Sequence, residues 1–408
     1  MPLKGEPTAA AWLNSLSLEE REVARLLWRE PMTRQELARR LSLSLSAVSR
    51  LLSRLFAARL VTEERQPCQA RGRPPALLRL NHDSAYGLGI DIGALYSRYA
   101  VADLSGNIAS KHLEKTPLFH TNRDFSDYLC SLAARAQASV YRHRHKLVGI
   151  VASISGVVDT EQGLCLFCPN IRGPLDLPVR SVLEQEFALP VAVEDPARMQ
   201  ALAEHLFGGA RGHEDFLYVH IGIGVGAGIM LGGRLLRGSV GVAGEIGHIV
   251  VGEGNGPRCN CGNRGCLEAY VSARALVRRA REGLEQGIYS SLSAVAGQDY
   301  ARLTPEAIDA AARAGDKMAF HIVDEAGQRL GSALATAVNL LGTPLVVIGG
   351  GLGNLCDSFY AAAERAMRTR ALSMLSPRVT IRRSSLDTYA AAHGSAMHAL
   401  ERALVCAH

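Results

Sequence analysis

The stretch Tyr86–Lys115, YGLGIDIGALYSRYAVADLSGNIASKHLEK, restricts most strongly what this chain can fold into. It reads as strand, glycine turn, strand, polar turn, strand, each run too short for a buried helix. Further strands are predicted at KLVGIVASISG, PVAVEDP and PLVVIGGGLG, and a glycine-rich hairpin at FLYVHIGIGVGAGIMLGGRLL. Helical spacing runs through PARMQALAEHLFGGA and MAFHIVDEAGQRLGSALATAVNLL between them. An early Asp-x-Gly turn, a glycine hairpin in mid-chain and a late Gly-Gly-Gly turn together predict two related α/β lobes around a cleft. No short-period repeat is visible.

The first fifth of the chain is different. The 408 residues fit two to three domains, and the formal charge is +6. Residues 1–80 hold 14 Lys and Arg against 8 Asp and Glu, while the other 31 of each sign cancel. All the excess charge therefore belongs to an N-terminal module, which points to nucleic acid as its partner. After a leader, SLEEREVARLLWRE places Leu18, Val23, Leu26 and Leu27 at helical spacing. Thr33 with Glu36 forms a capping box opening RQELARRLSL, and Ser44 or Ser46 caps AVSRLLSRLFAARLV. Two helices across a short turn match the helix-turn-helix pattern. LVTEER and PALLRL read as strands flanking a basic hairpin, QPCQARGRP, which makes the module winged. The alternative is a three-helix interaction module. The boundaries that follow are a DNA-binding domain at 1–82 and an α/β body at 83–408.

In this arrangement the start of the second helix enters the major groove. Ser46, Ala47, Ser49 and Arg50 are expected to face base edges, with Arg50 able to grip a guanine bidentately. Arg39 and Arg54 are expected at phosphates, which fix position without reading sequence, and Arg34 is a further DNA-binding candidate. In the hairpin, ARGRPP resembles an AT-hook core, so Arg71 and Arg73 are expected in a narrow minor groove.

Nine cysteines are scattered except for CNCGNRGC, so a disulfide framework is not expected. His248, Cys259, Cys261 and Cys266 instead give H-x10-C-x-C-x4-C, a soft donor set that suits Zn²⁺. Four protein ligands leave no position for an activated water, so one structural zinc per chain is expected, in a loop spanning 248–268. Cys165 and Cys168 form a second C-x2-C, but their apolar neighbours favour ordinary buried thiols. No run approaches the ~20 apolar residues of a spanning helix, and the N-terminus lacks an apolar signal core. The expected location is the cytoplasm.

Taken together, DIG at Asp91–Gly93, SGVVD at Ser155–Asp159, CPN at Cys168–Asn170, EDPARMQALAEHLFG, IGIGVGAGIMLGGRL, GEIGH, the cysteine run and VVIGGG resemble the ROK family of repressors, open reading frames and sugar kinases. With its winged helix the chain resembles the repressor branch. The resemblance implies an actin-like, hexokinase-type pair of α/β domains behind the DNA-binding module. It implies a sugar pocket of Ser155, Gly156, Asn170, Asp195, Glu245, His248 and Glu268, with Glu194 where the family carries Asn. That departure leaves three possibilities open: Glu194 turns away, is protonated, or meets a ligand rich in donors. Asp195 corresponds to the kinase general base, here vestigial.

Family kinases place threonine hydroxyls against phosphate in Asp-x-Gly-Gly-Thr and Gly-Thr-Gly segments. Here those threonines are Leu95 and Ile223, and Ala94 adds a Cβ where phosphate would approach. The reading is a sugar-responsive repressor of carbohydrate genes without catalysis, released from operator DNA by a sugar or sugar phosphate. An active or bifunctional ATP-dependent sugar kinase is the alternative, and a constitutive architectural DNA-binding protein a third. A homodimer or tetramer is expected, and sequestration by a membrane sugar transporter is a further partner implied by the resemblance.

Overall fold

The computed structural model describes residues 8–65, 76–168, 171, 175–252, 256–297 and 299–405. The chain divides into two compact units, Met1–Pro196 with Ala391–His408, and Ala197–Ala390.

The first unit begins with four helices, Ala9–Asn14, Leu18–Arg29, Arg34–Leu41 and Leu45–Ala57. The first of these lies in what the sequence offers only as a leader; Thr8 caps it by accepting from the Ala11 amide. Ser17 with Glu20, and Thr33 with Glu36, form reciprocal capping boxes, and Ser44 caps the fourth helix. Ser46 bonds the Ser44 hydroxyl instead. Each such cap satisfies amides that would otherwise lack a partner, contributing about 1 kcal/mol. Ser42, at φ 55°, closes the third helix and turns the chain into the fourth. Leu37, Val48, Leu52 and Leu55 are fully buried, so truncating one of these leucines to alanine costs about 2–5 kcal/mol. Leu18, by contrast, is exposed at the first helical position. Strands Val61–Arg65 and Ala76–Leu80 pair antiparallel as the wing's two sides.

Next comes a five-stranded sheet in the order Val191–Glu194, Leu147–Ile154, Tyr86–Ile92, Tyr96–Asp103, Ile108–Lys115. The first three run parallel, and each of the last two runs antiparallel to the strand before it. Helix Ala390–Val405 lies against its central strand. A methyl on Gly87 would overlap the Ala396 carbonyl oxygen, and one on Gly89 the Ala392 oxygen. Only glycine lets helix and strand approach this closely.

The second unit repeats the plan. Its sheet runs Thr380–Arg383, Leu345–Gly349, Phe216–Ile221, Val225–Leu231, Arg234–Leu235. Again the earliest strand is central, a hairpin extends to one side, and two parallel strands add on the other. This shared order is the two-lobed α/β architecture that the glycine-punctuated sequence predicts. The 25-residue helix Lys317–Leu341 packs on Asp357–Arg370 through Gly327 and Gly331, and Gly342 at φ 65° ends it. Among the described residues no helix is long and apolar enough to cross a membrane.

Candidate functional site

The second unit gathers His248, Cys259, Cys261 and Cys266 so that their ligand atoms all lie within 4.8 Å of one another. The loop is built by backbone bonds from Cys259 N to Asn263 O at 2.9 Å and from Gly262 N to Cys259 O at 3.0 Å. Gly262 and Gly265 sit at φ 94° and 74°, which side-chain-bearing residues rarely adopt. Leu267 N then bonds Ile249 O, bringing Cys266 beside the His248 segment.

Distances within the cluster suit one cation. Cys261 and Cys266 sulfurs are 3.7 Å apart, and Cys259 Sγ is 3.7 Å from His248 Nδ1. An edge of about 3.7 Å is what a tetrahedron with metal–sulfur bonds of about 2.3 Å requires. Burial pushes the Cys259 thiol up to about 12. Cys261 is held below the ordinary thiol value against its own burial, by the Asn263 amide and the neighbouring thiols. A bound cation would displace these protons, since thiolate is the ligating form.

The two carboxylates expected beside the cluster are in contact with it. His248 turns Nε2 to Glu245 Oε2, 3.7 Å away, while Nδ1 faces the thiols. Glu268 opens the short helix Glu268–Val271; its Oε1 is 3.8 Å from Cys259 Sγ, and its Oε2 accepts from the Val225 amide at 3.0 Å. A partner that orients a ligating imidazole through its second nitrogen is common in metal sites.

The other sugar-site candidates belong to the first unit. Ser155 follows strand Leu147–Ile154 and donates its amide to Ile92 O at 3.0 Å. At Gly156 a methyl would overlap Phe167 O, so the backbone passes directly against that segment. Asn170 lies outside the described residues, as do Arg71 and Arg73. Asp195 is partly accessible at the strand's end. Glu194 is 2% exposed, with its Oε1 3.8 Å from His398 Nε2 on the helix Ala390–Val405. Cys165 and Cys168 are buried in the core, sulfurs 3.0 Å apart.

Asp91 has a partner the sequence reading missed. Arg98 Nη1 donates to Asp91 Oδ2 at 3.0 Å, and Ser153 Oγ reaches Oδ1 at 3.3 Å. Burial pushes the Asp91 carboxyl up, and Arg98 opposes this. The two residues face each other in the antiparallel register, so counting outward from the glycine turn finds the pair. For His398, two hundred positions from Glu194, no local signal exists. Leu95 is exposed and Ile223 half-buried, both offering hydrocarbon.

On the helix Leu45–Ala57, Ser46, Ser49 and Arg50 are exposed and Ala47 is partly covered, all within its first turns. Arg39 is exposed on the preceding helix. Arg34 is held by both Glu63 oxygens, at 2.7 and 3.1 Å, and Arg54 pairs with buried Glu20 at 3.1 Å.

The family model described as ROK family matches residues 87–402, and the one described as Sigma-70, region 4 matches residues 12–58. A xylose repressor of Caldicellulosiruptor bescii is 29% identical over 318 residues, covering 78% of this chain and 79% of its own. The crystal structure of a ROK family transcriptional regulator, a homologue of E. coli MLC protein, superposes with a TM-score of 0.83 at 28% identity, covering 95% of this chain and 97% of that one. A ROK family glucokinase from Streptomyces griseus, solved with glucose and AMPPNP, gives a TM-score of 0.67 at 30% identity, over 78% of this chain and all of that one.

Proposed function

Because the chain belongs to the ROK family, we propose that it is a sugar-responsive transcriptional repressor, binding operator DNA until a sugar or sugar phosphate releases it. The observation that carries this reading is one chain holding both a capped helix-turn-helix with Ser46, Ser49 and Arg50 exposed and a carboxylate–imidazole–thiol cluster. The full-length likeness to a ROK transcriptional regulator supports it. Reading DNA places its work in the cytoplasm. Helix-turn-helix readers act as dimers on two half-sites, so a homodimer or tetramer is the working form. A membrane sugar transporter component is a second candidate for taking it off DNA.

The cation of the cluster is zinc, held by His248, Cys259, Cys261 and Cys266, and its task is structural. It fixes the segments carrying Glu245 and Glu268, whose carboxylates accept from sugar hydroxyls, while His248, with Nδ1 on the ion, offers its Nε2–H as a donor. Ser155, Gly156, Asn170 and Asp195 complete the proposed sugar set, and Glu194, which stands where the family carries Asn, turns instead to His398. Charged acceptors held rigidly give the stronger hydrogen bonds that sugar recognition needs.

Catalysis is not part of this reading. Phosphoryl transfer requires a cradle of donors and metal ligands around the phosphates. The side chains of Leu95 and Ile223 supply no donor, and Asp91 is engaged by Arg98. The likeness to a glucokinase keeps kinase activity as the competing reading. The test has two arms. DNA selected by the protein from a random pool is followed by fluorescence anisotropy while xylose, glucose, N-acetylglucosamine and the 6-phosphates of the latter two are added. The same sugars are incubated with radiolabelled ATP. Release without phosphoryl transfer is expected; a labelled sugar product would establish the kinase instead.

A further inference from the structure

The unusual Glu194 leads into a continuous series of contacts inside the first unit. Its carboxylate faces His398 Nε2 at 3.8 Å, and His398 Nδ1 is 3.0 Å from Glu401 Oε2. Glu194 and His398 are 2% and 6% exposed, so this pair is shielded from water and salt. His398 stands on the helix Ala390–Val405, whose seat against the central strand depends on Gly87 and Gly89. Five residues further along that helix, the Ala403 carbonyl accepts from Arg21 Nη1 at 2.8 Å. Arg21 is itself buried, and its Nη2 bonds Leu13 O at 2.8 Å, tying the first two helices of the DNA-binding module together. A second anchor lies nearby: Trp28 Nε1 donates to Leu104 O at 2.7 Å.

We infer that His398 is a positioning residue that ties the strand leading into Asp195 to the C-terminal helix and, through Ala403 and Arg21, to the module that reads DNA. The inference rests on the effector role proposed above for Asp195. Physically, a helix transmits displacement of one end to the other because its hydrogen bonds make it stiff along the axis. A strand end that tightens around a ligand shifts Glu194, and the His398 contact passes that shift to the helix. Arg21 then carries it to Leu13 and the helix Leu18–Arg29. Coupling of this kind requires the pair to have an engaged and a released state that the ligand biases, and the engaged state is the one seen here.

The chain supplies its own reporter, since its two tryptophans, Trp12 and Trp28, both belong to the module. In His398→Ala, sugar binding by calorimetry should stay within about threefold of the parent, while the sugar concentration that releases operator rises about tenfold or more. His398→Gln, which keeps a polar group facing Glu194, should recover most of the response. Leu400→Ala is the control: it hollows the same helix at a fully buried position and should lower Tm without separating binding from release. A ligand-free arm reads acrylamide quenching of Trp28 in a Trp12→Phe background. Quenching should rise in His398→Ala and in Arg21→Leu, and not in Leu400→Ala. If no sugar in the panel releases the parent protein, the effector reading fails and the quenching arm alone decides the strut. If His398→Ala quenches and releases like the parent, or behaves as Leu400→Ala does, the strut is wrong.

Discussion

Glu268 joins two structures with one carboxylate: Oε2 accepts the Val225 amide at the root of the central hairpin, and Oε1 lies 3.8 Å from the Cys259 sulfur. The thiol cluster and the hairpin therefore share a single acidic group. Whatever fixes the sulfurs also fixes where that carboxylate points.

Loss of one thiolate should undo more than metal binding. Cys261→Ser is expected to reduce zinc from about one per chain to near zero, lower thermal stability and remove the sugar response in the same variant. For a unit of this size each kcal/mol lost appears as about 2–4 °C in Tm. Metal content, melting and release from operator DNA are measured on one preparation. A metal-free protein that still responds to sugar would separate the cluster from the effector site.

Glu268→Ala removes a charged acceptor. A charge-assisted hydrogen bond contributes about 1.5–3 kcal/mol, so sugar affinity should fall about tenfold to a hundredfold. Operator affinity without sugar should hardly change, because the residue belongs to the second unit and the basic module to the first. The expected phenotype is a repressor that holds DNA at sugar concentrations that release the parent. Anisotropy titrations of both proteins against sugar check it, and equal midpoints would remove Glu268 from the sensor.

Arg50 and Arg39 are both exposed but should fail differently when truncated. Arg50→Ala should cost about 1–3 kcal/mol and relax preference at one base pair. Arg39→Ala should weaken all sequences alike and lower the slope of log affinity against log salt by about one. Binding to a set of single-base operator variants at several salt concentrations distinguishes them. Uniform losses for Arg50→Ala would place it at a phosphate.

Glu114 gives a pH dependence of stability. Its hydrogen bonds with Arg135 hold its carboxyl down at about 2, against an ordinary 4.5. Because the folded value is depressed, the stabilisation is present above about 4.5 and disappears as pH falls toward about 2. Partial exposure of both side chains keeps the effect small. Melting curves from pH 6 down to 2.5 should therefore fall less steeply for Glu114→Gln than for the parent. Parallel curves would show that the pair contributes nothing.

Much of this was legible in local sequence. Thr33 with Glu36 and the Ser44 cap marked the helix pair, and glycine turns marked the hairpins, because caps and turns are decided within four or five residues. The compact spacing of Cys259, Cys261 and Cys266 foretold the cluster for the same reason. The helix Ala9–Asn14 was hidden, since six residues, half of them alanine, carry little periodicity. Arg98 could have been matched to Asp91 by register. His398 could not have been matched to Glu194, nor Arg21 to Ala403, because those partners meet only when a distant helix returns to the first sheet.

That return has a consequence for how the protein is made. The glycine-seated helix completes the first unit, yet the ribosome delivers it only after the whole of the second unit. Until then Arg21 has no Ala403 carbonyl to hold and the central strand lies uncovered along Gly87 and Gly89. The contacts that seat the reading head on the first sheet are therefore among the last that synthesis makes possible.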